Sequence, residues 1–395
     1  MVEASQTTGV VRSDAAWDAE VGSVRLHCGA GRLSELGELA RQLGARRALL
    51  VTDPGLTRAG HAATAARALA AADLEVFRFD DVEPNPTTAT VDRGCAAARD
   101  CGADLLVALG GGSAMDCAKG VNLLMTNGGA VADYEGFNRA PGPYLPSIAV
   151  PTTAGTGSEG QSYALIADAR THRKMACGDP GLRFREVILD PELLASAPRE
   201  VIAAAGLDAL SHAIESFVSK RANPVSRTLS KRALEGLLGS FSDFIADPSD
   251  ETAGIEMMIS AHFAGAAIEN SMLGAAHAAA NPLTARHGVV HGMAVALTLP
   301  VVIRWNAAAG DGLYDDLVGD LLDAGRRGVD AATRLADEYA RLRGLAGAPS
   351  SLSEVAVPRD DLPLLASQAA EQWTARFNPR PITSTDFLQL YESID

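Results

Sequence analysis

Cysteine is scarce in this sequence and shows no pairing pattern. The 395 residues include five cysteines, none in a Cys-x-x-Cys motif: Cys28, Cys95, Cys101, Cys117 and Cys177. An odd number without such motifs argues against a disulfide framework and against a zinc site built from thiolates. The composition therefore predicts a protein of the reducing cytoplasm.

Clusters of positive charge and long apolar runs are also missing. Lys and Arg number 34 against 49 Asp and Glu, a formal net charge of −15 at pH 7, and no long basic run occurs. Nucleic acids and anionic membranes attract clustered Lys and Arg, so neither is an expected partner. The polar leader 1–20 lacks the apolar segment of a secretory signal, and no run of about 18 apolar residues predicts a membrane span.

The pattern of the chain changes near its middle. Buried strands at 47–53 and 104–109 alternate with helices, after a predicted edge strand at 23–27, and this alternation is typical of a parallel sheet covered on both faces. From Glu192 onward helical periodicity dominates. The sequence predicts an α/β domain over residues 1–194 and an all-α domain over 195–395, with the boundary near Leu194. The first helices of the second domain are predicted at 199–205 and 208–220.

One carboxylate and three imidazoles suggest a metal site in the second half. Asp208 and His212 are four residues apart, which on a helix places both side chains on one face. Such a pair alone is more often structural, but His277 and His291 follow, with Pro282 and Gly288 between them as predicted helix punctuation. This donor set suits Zn²⁺ or Fe²⁺ better than Ca²⁺ or Mg²⁺, which favour oxygen ligands.

A glycine-rich segment in the first half indicates phosphate binding. Strand 104–109 runs directly into Gly110, Gly111, Gly112 and Ser113, and a helix pattern follows. Glycines allow a phosphate close to the backbone, and a helix amino terminus offers free N–H groups. The segment matches neither Gly-x-Gly-x-x-Gly, which needs glycine at Met115, nor a P-loop. Its position between strand and helix favours phosphate binding over a simple flexible turn.

Two further features concern the choice of nucleotide. Asp53 ends a buried strand, where a carboxylate accepts hydrogen bonds from a ribose 2′-hydroxyl and repels a 2′-phosphate, favouring NAD over NADP. Taken alone, Asp53 is better explained as the cap of the turn at 53–55. The loop 151–159 is rich in Thr and Gly and can hydrogen-bond a ribose or nicotinamide, although such a cluster alone is usually a turn.

Together these segments resemble the iron-containing, group III alcohol dehydrogenase family, which has a dehydroquinate synthase-like fold. Matching segments occur in order along nearly the whole chain: 51–53, 84–87, 110–113 with Asp116 and Lys119, 151–159, 173–174, 190–191, 208–215, His277, 291–292, 299–300 and 378–381. The resemblance implies an amino-terminal dinucleotide-binding domain, a helical metal-binding domain, a cleft between them, and at least a homodimer.

The resemblance also implies site residues. Asp208, His212, His277 and His291 would hold the metal and act in catalysis through it. The NAD(H) site would be lined by Asp53, Asn85, Gly110, Gly111, Gly112, Ser113, Asp116, Thr152, Thr153, Thr156, Gln161, Tyr163 and Lys174.

Two departures from the family pattern stand out. Family members usually carry a second His four residues after His277, near the reacting groups, where this chain has Asn281. An amide is no general base near neutral pH, so proton relay there is lost. His287 is a candidate substitute, although a surface imidazole is the more common explanation. The second departure is the segment 159–163, where the family more often has Val-Thr after the glutamate.

The predicted function is a metal-dependent oxidoreductase that transfers a hydride between NAD(H) and a small alcohol or aldehyde, with Fe²⁺ or Zn²⁺ bound. One alternative is a reductase of another small oxo compound, of the maleylacetate or phosphonoacetaldehyde type. A second is a lyase resembling dehydroquinate synthase, in which NAD is recycled. A metal-binding protein that has lost catalysis is a third, suggested only by Asn281.

Overall fold

The computed structural model describes residues 16–171, 173–308, 310, 312–319, 321–322 and 329–394, so most of the polar leader lies outside the described residues. The strands are β1 Trp17–Val21, β2 Val24–Cys28, β3 Arg47–Val51, β4 Glu75–Phe79, β5 Leu105–Gly110, β6 Gly136–Phe137, β7 Ser147–Pro151, β8 Tyr163–Ala167, β9 Lys174–Gly178 and β10 Glu186–Leu189. The helices are α1 Leu36–Gln42, α2 Pro54–Ala59, α3 His61–Ala71, α4 Thr88–Cys101, α5 Gly112–Asn127, α6 Arg199–Val218, α7 Pro224–Ala246, α8 Glu251–Asn270, α9 Ala275–His287, α10 His291–Ala307, α11 Asp315–Val318, α12 Ala331–Leu345, α13 Leu362–Glu371 and α14 Ser384–Glu392.

Seven strands form the main sheet, in the order β1-β2-β10-β7-β5-β3-β4. All neighbouring pairs are parallel except β1 and β2, which form an antiparallel hairpin. The prediction of a parallel sheet is confirmed, but the strand predicted at 23–27 is not the edge strand. β1 occupies that position; its residues alternate between partly buried and exposed, so they lack the apolar run of the inner strands.

The inner strands are buried on both faces, as a parallel sheet with helices on each side requires. Successive residues alternate between two cores: Leu49 and Leu106 pack with residues of α4 and α5, whereas Leu50 and Val107 pack with residues of α1 and α3. This period of two reflects the alternating direction of side chains along a strand. The apolar runs of β3 and β5 therefore place their carboxyl ends at one edge of the sheet, where the loops that follow meet.

A second, smaller sheet lies beyond β7. Its three strands are ordered β6-β9-β8, with β8 and β9 antiparallel and β6 and β9 parallel. β8 and β9 thus form a hairpin. In this register Tyr163 pairs with Gly178 and Ala167 pairs with Lys174, which sets the start of β8 directly after the loop that follows β7.

The helical half differs from the prediction at its first helix. The two helices predicted at 199–205 and 208–220 are one continuous helix, α6. Gly206 does not interrupt it; a Cβ there would lie 2.6 Å from Cε2 of Phe241, so the glycine allows α6 to pack closely against α7. Of the two residues predicted as helix punctuation, Gly288 caps the end of α9 in a left-handed conformation, whereas Pro282 lies inside the helix.

α6 is long and apolar enough to cross a membrane by length and composition. However, 89% of its most apolar 18-residue window is buried inside the protein, where it packs against α7, α8 and α10. It is therefore a buried helix of the protein interior, and its apolar residues share one core with Leu49 and Leu106 of the sheet. A helix of this kind must satisfy each polar group that it carries, because water does not reach them.

The two halves meet through glycines in the loop after β7. A Cβ on Gly157 would lie 2.5 Å from Cα of Gly265 on α8, and one on Gly155 would lie 2.8 Å from Cβ of Ala205 on α6. Backbone therefore packs directly against helix at both points. The boundary predicted near Leu194 lies between the end of β10 and the start of α6.

Candidate metal and nucleotide site

Four side chains from three helices converge at one point. Asp208 and His212 lie one turn apart on α6, His277 lies in the first turn of α9, and His291 is the first residue of α10. Asp208 Oδ1 lies 3.4 Å from His212 Nε2, 3.5 Å from His277 Nε2 and 4.0 Å from His291 Nε2. Donor atoms held about 2.0–2.1 Å from a tetrahedral ion lie roughly 3.3 Å apart, so the observed spacing is close to that of a metal site.

The donor atoms of this cluster have the properties that a metal ion requires. Asp208 Oδ1 and His277 Nε2 are buried and make no hydrogen bond within the described part of the chain. Leaving such atoms unpaired costs about 1–3 kcal/mol each. The donor atoms of Asp208, His277 and His291 also lie within 4.8 Å of one another. Asp208, His277 and His291 therefore fit Zn²⁺ or Fe²⁺. His212 is outside this group of three, and its Nε2, 3.4 Å from Asp208 Oδ1, is the candidate for a fourth donor.

The electrostatics of the cluster favour one added positive charge. Burial would raise the pKa of Asp208, but the surrounding imidazoles of His212, His277 and His291 outweigh it and hold that pKa below its ordinary value. Burial lowers the pKa of His291 to about 3; Asp208 opposes this shift and Lys174 adds to it. His291 therefore presents a neutral ring with a free lone pair, the form in which imidazole binds metals.

Glu215 holds His277 from the side opposite Asp208. Its Oε2 lies 2.6 Å from His277 Nδ1, and its carboxylate also accepts hydrogen bonds from the backbone N–H groups of Ala276 and His277. Burial lowers the pKa of His277, but Asp208 and Glu215 together raise it to about 9. With this pKa the ring carries a proton on Nε2 at neutral pH, which a metal ion would replace, while the carboxylate keeps the other proton on Nδ1. Glu215 lies seven residues after Asp208 and so on the same face of α6, but its spacing alone does not show that its partner is His277.

His291 owes its position to the glycine that follows. A Cβ on Gly292 would overlap the carbonyl oxygen of Ala204, so α10 begins in direct contact with α6. This contact brings His291 Nε2 to 4.0 Å from Asp208 Oδ1 across the two helices. In the matched segment 291–292, the candidate ligand His291 is thus followed by the glycine whose close contact with α6 places it.

The glycine-rich segment lies where the sequence predicted. β5 ends at Gly110, Gly111 caps α5, and α5 begins at Gly112. A Cβ on Gly112 would lie 2.8 Å from Oγ1 of Thr156, and one on Gly111 would lie 3.2 Å from Oγ1 of Thr153. The glycines therefore admit the Thr-rich loop as well as any phosphate at the helix amino terminus. Both parts of the predicted nucleotide site are brought together.

Asp53 and Asn85 border the same helix terminus. Asp53 Oδ1 accepts hydrogen bonds from the backbone of Gly55 and Leu56, so the capping role considered in the sequence is present. Its other oxygen, Oδ2, lies 3.7 Å from where a Cβ of Gly110 would stand. The Asn85 backbone N–H donates to Ser113 Oγ at 3.1 Å. Asp53 can therefore cap α2 and still present one oxygen toward a bound ribose.

The Thr-rich loop is anchored by a buried lysine. Lys119 Nζ donates to the Ser158 carbonyl at 2.7 Å, to Ser158 Oγ at 3.0 Å and to the Tyr163 carbonyl at 2.8 Å. Burial lowers the pKa of Lys119 to about 8, against the opposing effect of Asp116. Asp116 in turn accepts a hydrogen bond from Ser158 Oγ at 2.8 Å. These contacts fix the loop that carries Thr152, Thr153 and Thr156.

The remaining predicted nucleotide residues lie around this loop. Gln161 Nε2 donates to the Thr156 carbonyl at 2.9 Å. Tyr163 packs against Phe137, with ring centroids 5.7 Å apart. Lys174 is exposed at the start of β9, and its charge acts on the pKa of both Asp116 and His291. Its charge thus acts both on a predicted nucleotide residue and on a histidine of the cluster.

The structure does not bring His287 to the cluster. His287 is the last residue of α9, and its Nε2 lies 3.3 Å from Oδ2 of Asp361. Asn281, one turn after His277, is hydrogen-bonded through Nδ2 to Oε1 of Gln372 at 3.0 Å. Family members usually carry a histidine at this position, whereas here Asn281 is hydrogen-bonded to a second amide, that of Gln372.

Comparisons with known proteins cover nearly the whole chain. Residues 23–191 match the iron-containing alcohol dehydrogenase model, and residues 202–394 match the carboxyl-terminal model of that family. An NAD-dependent methanol dehydrogenase of Bacillus methanolicus is 33% identical over 92% of this chain and 96% of its own length. The crystal structure of a 1,3-propanediol oxidoreductase has a TM-score of 0.89 at 33% identity, covering 93% of this chain and 97% of the other.

A third relative was solved with a nucleotide. Sulfoacetaldehyde reductase from Bifidobacterium kashiwanohense, in complex with NAD⁺, has a TM-score of 0.86 at 29% identity and covers 95% of this chain and 98% of its own. The family models and these similarities agree with the architecture of a parallel sheet followed by a helical domain. The chain belongs to the iron-containing alcohol dehydrogenase family.

Proposed function

We propose that this protein is a metal-dependent oxidoreductase that transfers a hydride between NAD(H) and a small alcohol or aldehyde. In the oxidative direction the alcohol loses a hydride from carbon to NAD⁺ and a proton from oxygen to solvent, giving aldehyde, NADH and H⁺. The observation that carries the proposal is the convergence of three imidazole Nε2 atoms on Asp208 Oδ1, all within 4.0 Å. This cluster lies next to the loop that would hold the nicotinamide.

The join between the halves supports this reaction. The Thr-rich loop touches α6 at Ala205, less than one turn before Asp208. A nicotinamide ring bound by Thr153 or Thr156 would therefore lie close to the four side chains of the cluster. A reaction between two bound groups is fastest when the protein holds them rigidly at the right separation. The direct packing of the loop backbone against α6 provides such rigidity.

The roles of individual residues follow from their positions. Asp208, His212, His277 and His291 would hold the ion, and Glu215 would orient the His277 ring. A bound Zn²⁺ or Fe²⁺ would supply Lewis-acid polarisation of the substrate oxygen. Thr153 and Thr156 would hydrogen-bond the nicotinamide half of the cofactor. The α5 amino terminus would bind its pyrophosphate, and Asp53 Oδ2 would accept from the ribose hydroxyls.

The choice of NAD over NADP rests on Asp53, whose second oxygen lies beside Gly110. A 2′-phosphate would bring like charges together there. The relatives named as NAD-dependent or solved with NAD⁺ support the same choice. Lys174 would pair with the cofactor from the sheet side of the cleft.

The experiment is a turnover assay on protein loaded with Fe²⁺ or with Zn²⁺. Alcohols are supplied with NAD⁺ and aldehydes with NADH, and the absorbance of NADH is followed. A stoichiometric change that requires metal is expected. Full activity in protein stripped of metal would contradict the proposal. Product formation without net change in NADH would instead indicate a lyase of the dehydroquinate synthase type.

Two further expectations belong to the proposal. The five cysteines are all free, which suits a cytoplasmic enzyme that needs no disulfide. At least a homodimer is implied by the family resemblance. Light scattering on the purified protein tests the assembly, and a monomer at assay concentration would refute it.

A further inference from the structure

The segment 378–381 matches the family pattern, yet it supplies none of the four candidate metal ligands. It lies between the short helix Trp373–Phe377 and α14, and its first residue, Asn378, is fully buried. Burial removes the donors and the acceptor of an asparagine side chain from water, so they are normally paired within the protein. The partners of Asn378 belong to α9 and α10, the helices that carry His277 and His291.

Helix α9 begins without a cap of its own. Its N-cap residue is Gly274, which has no side chain to accept from the N–H groups of the first turn. Two side chains from distant parts of the chain take that role. Asn378 Oδ1 accepts from the Ala275 N–H at 3.2 Å, and the Glu215 carboxylate accepts from the next two N–H groups at 2.7 and 3.3 Å. The second of these two N–H groups belongs to His277.

The side chain of Asn378 is oriented by a second buried amide. Asn306, near the end of α10, donates from Nδ2 to Asn378 Oδ1 at 3.1 Å and accepts from Asn378 Nδ2 at 2.7 Å. Asn378 Nδ2 also donates to the Arg380 carbonyl at 2.8 Å, and Arg380 Nη1 donates to the Trp305 carbonyl at 2.9 Å. Both amides are at most 1% exposed. Each polar atom of the Asn378 side chain is thus paired, and its direction is fixed.

We propose that Asn378 is a positioning residue of the metal site, which it serves by fixing the start of α9. This inference rests on the proposed metal-dependent function. His277 is the third residue of α9, so a shift of the first turn moves its imidazole with the backbone. Glu215 holds this ring at Nδ1, and Asn378 holds the backbone two residues before it. A metal site binds more tightly when its donors are in place before the ion arrives.

A cap that is merely structural would stabilise the protein without changing its affinity for metal. Asn122, a second buried asparagine, separates the two roles, because it is 2% exposed and lies on α5. It donates to the Leu145 carbonyl at 2.9 Å and accepts from the Leu145 N–H at 3.0 Å. Asn122 therefore also joins a helix to a distant loop through its amide, but it contacts neither α9 nor α10 through these bonds. Asn122→Ala is the matched control.

The first test measures Zn²⁺ affinity by competition with a chelator. Asn378→Ala should bind Zn²⁺ about tenfold more weakly than the wild-type protein, the lower end of the effect of losing an outer partner of a metal site. Asn122→Ala should keep the wild-type affinity, although thermal unfolding of the metal-free protein shows a loss of stability in both variants. The visible spectrum of bound Co²⁺, which depends on the geometry of the donors, should change only in the Asn378 variant. Wild-type affinity and spectrum in the folded Asn378 variant would overturn the inference.

A second variant alters the same contact from the side of the helix. A Cβ on Gly274 would lie 2.9 Å from Glu215 Oε1 and 3.0 Å from Asn378 Oδ1, so Gly274→Ala pushes both caps away from the start of α9. Its Zn²⁺ affinity should also fall by about tenfold. Gly239→Ala, where an added Cβ has no atom within 4 Å, should bind Zn²⁺ as the wild-type protein does. Unchanged affinity in the folded Gly274 variant would likewise overturn the inference.

The wild-type protein supplies a test that depends on no variant. The first N–H groups of a helix have no partner within the helix and exchange rapidly with deuterium unless other groups bind them. The amides of residues 275–277 should therefore be protected already in the metal-free protein. Rapid exchange there would show that the caps form only with metal bound, and it would refute the positioning role even if neither variant folded.

The inference and the proposed function fail differently. If the wild-type protein retains neither Fe²⁺ nor Zn²⁺, the metal-dependent function is wrong and the role of Asn378 falls with it. If the wild-type protein binds metal, and the Asn378 and Asn122 variants bind it equally tightly, only the positioning role is wrong.

Discussion

Glu215 Oε2 lies 2.6 Å from His277 Nδ1, while Nε2 of the same ring faces Asp208 at 3.5 Å. The imidazole is thus held between two carboxylates that come from one helix, two turns apart. One carboxylate completes the cluster and the other determines which nitrogen takes part in it. The first prediction follows from this arrangement.

Replacing Glu215 by Gln should weaken metal binding by about ten- to hundredfold, the usual effect of losing a carboxylate behind a ligating imidazole. The amide keeps the size of the side chain but not its charge, so the His277 tautomer is less firmly set. Metal affinity is measured by competition with a chelator. Glu256→Gln on α8 is the control, and equal affinity in the two variants would show that Glu215 is merely structural.

Replacing His277 by Ala should abolish metal retention and turnover together. The cluster then lacks the nitrogen that lies between Asp208 and His291, and three donors hold an ion much less tightly than four. NADH binding should survive, because the nucleotide residues lie on the sheet side. Metal analysis, turnover and NADH fluorescence give the three readings. His61→Ala, at a site remote from the cluster, serves as the control, and retained turnover in the His277 variant would contradict the metal role.

Replacing Gly112 by Ala should weaken NADH binding by about tenfold and leave the metal in place. The added Cβ would meet Thr156 at 2.8 Å, so the Thr-rich loop must move away from the start of α5. A Cβ on Gly239 of α7 would have no atom within 4 Å, so Gly239→Ala is the matched control and should slightly stabilise the helix. Unaltered NADH binding in the Gly112 variant would argue that the loop does not contact the cofactor.

Replacing Asp53 by Ser should raise the ratio of NADPH to NADH efficiency by about tenfold, because the charge that repels a 2′-phosphate is removed. Serine also caps helices, so α2 should keep its start. The ratio of kcat/KM for the two cofactors is the measurement. Asp100→Ser, at an exposed position on α4, should not change it. If the wild-type enzyme already uses both cofactors equally, the assignment of NAD is wrong.

The metal cluster is easier to predict from the sequence than the residue that supports it. Asp208 and His212 are recognisable because a spacing of four places them on one helix face, and His277 and His291 add to them. Glu215 receives no role from the sequence, because a glutamate on a helix is usually solvated and its partner His277 is 62 residues away. Residues so distant in sequence are brought together only by the packing of α6 against the start of α9.

Two differences between the predicted and observed helices have a common physical cause. Considered locally, Gly206 favours a break between helices and Pro282 favours a helix end, because both residue types disfavour helix. In the structure Gly206 fits against Phe241, and Pro282 is buried within α9. Tertiary packing outweighs local preference at both positions. β1 was not predicted from the sequence because its residues form no apolar run. Its pairing with β2 depends on backbone hydrogen bonds, which the residue pattern does not indicate.

The contact between Gly157 and Gly265 has a consequence for how the protein can vary. A methyl group on either residue would meet the backbone of the other within 2.5 Å, and because both are glycines, neither can become smaller to compensate for a substitution at the other. Side chains around the site can vary, but the alignment of the two halves is set at this contact, where side chains are absent. Evolution can therefore change the residues around the site while the contact between the two halves stays the same.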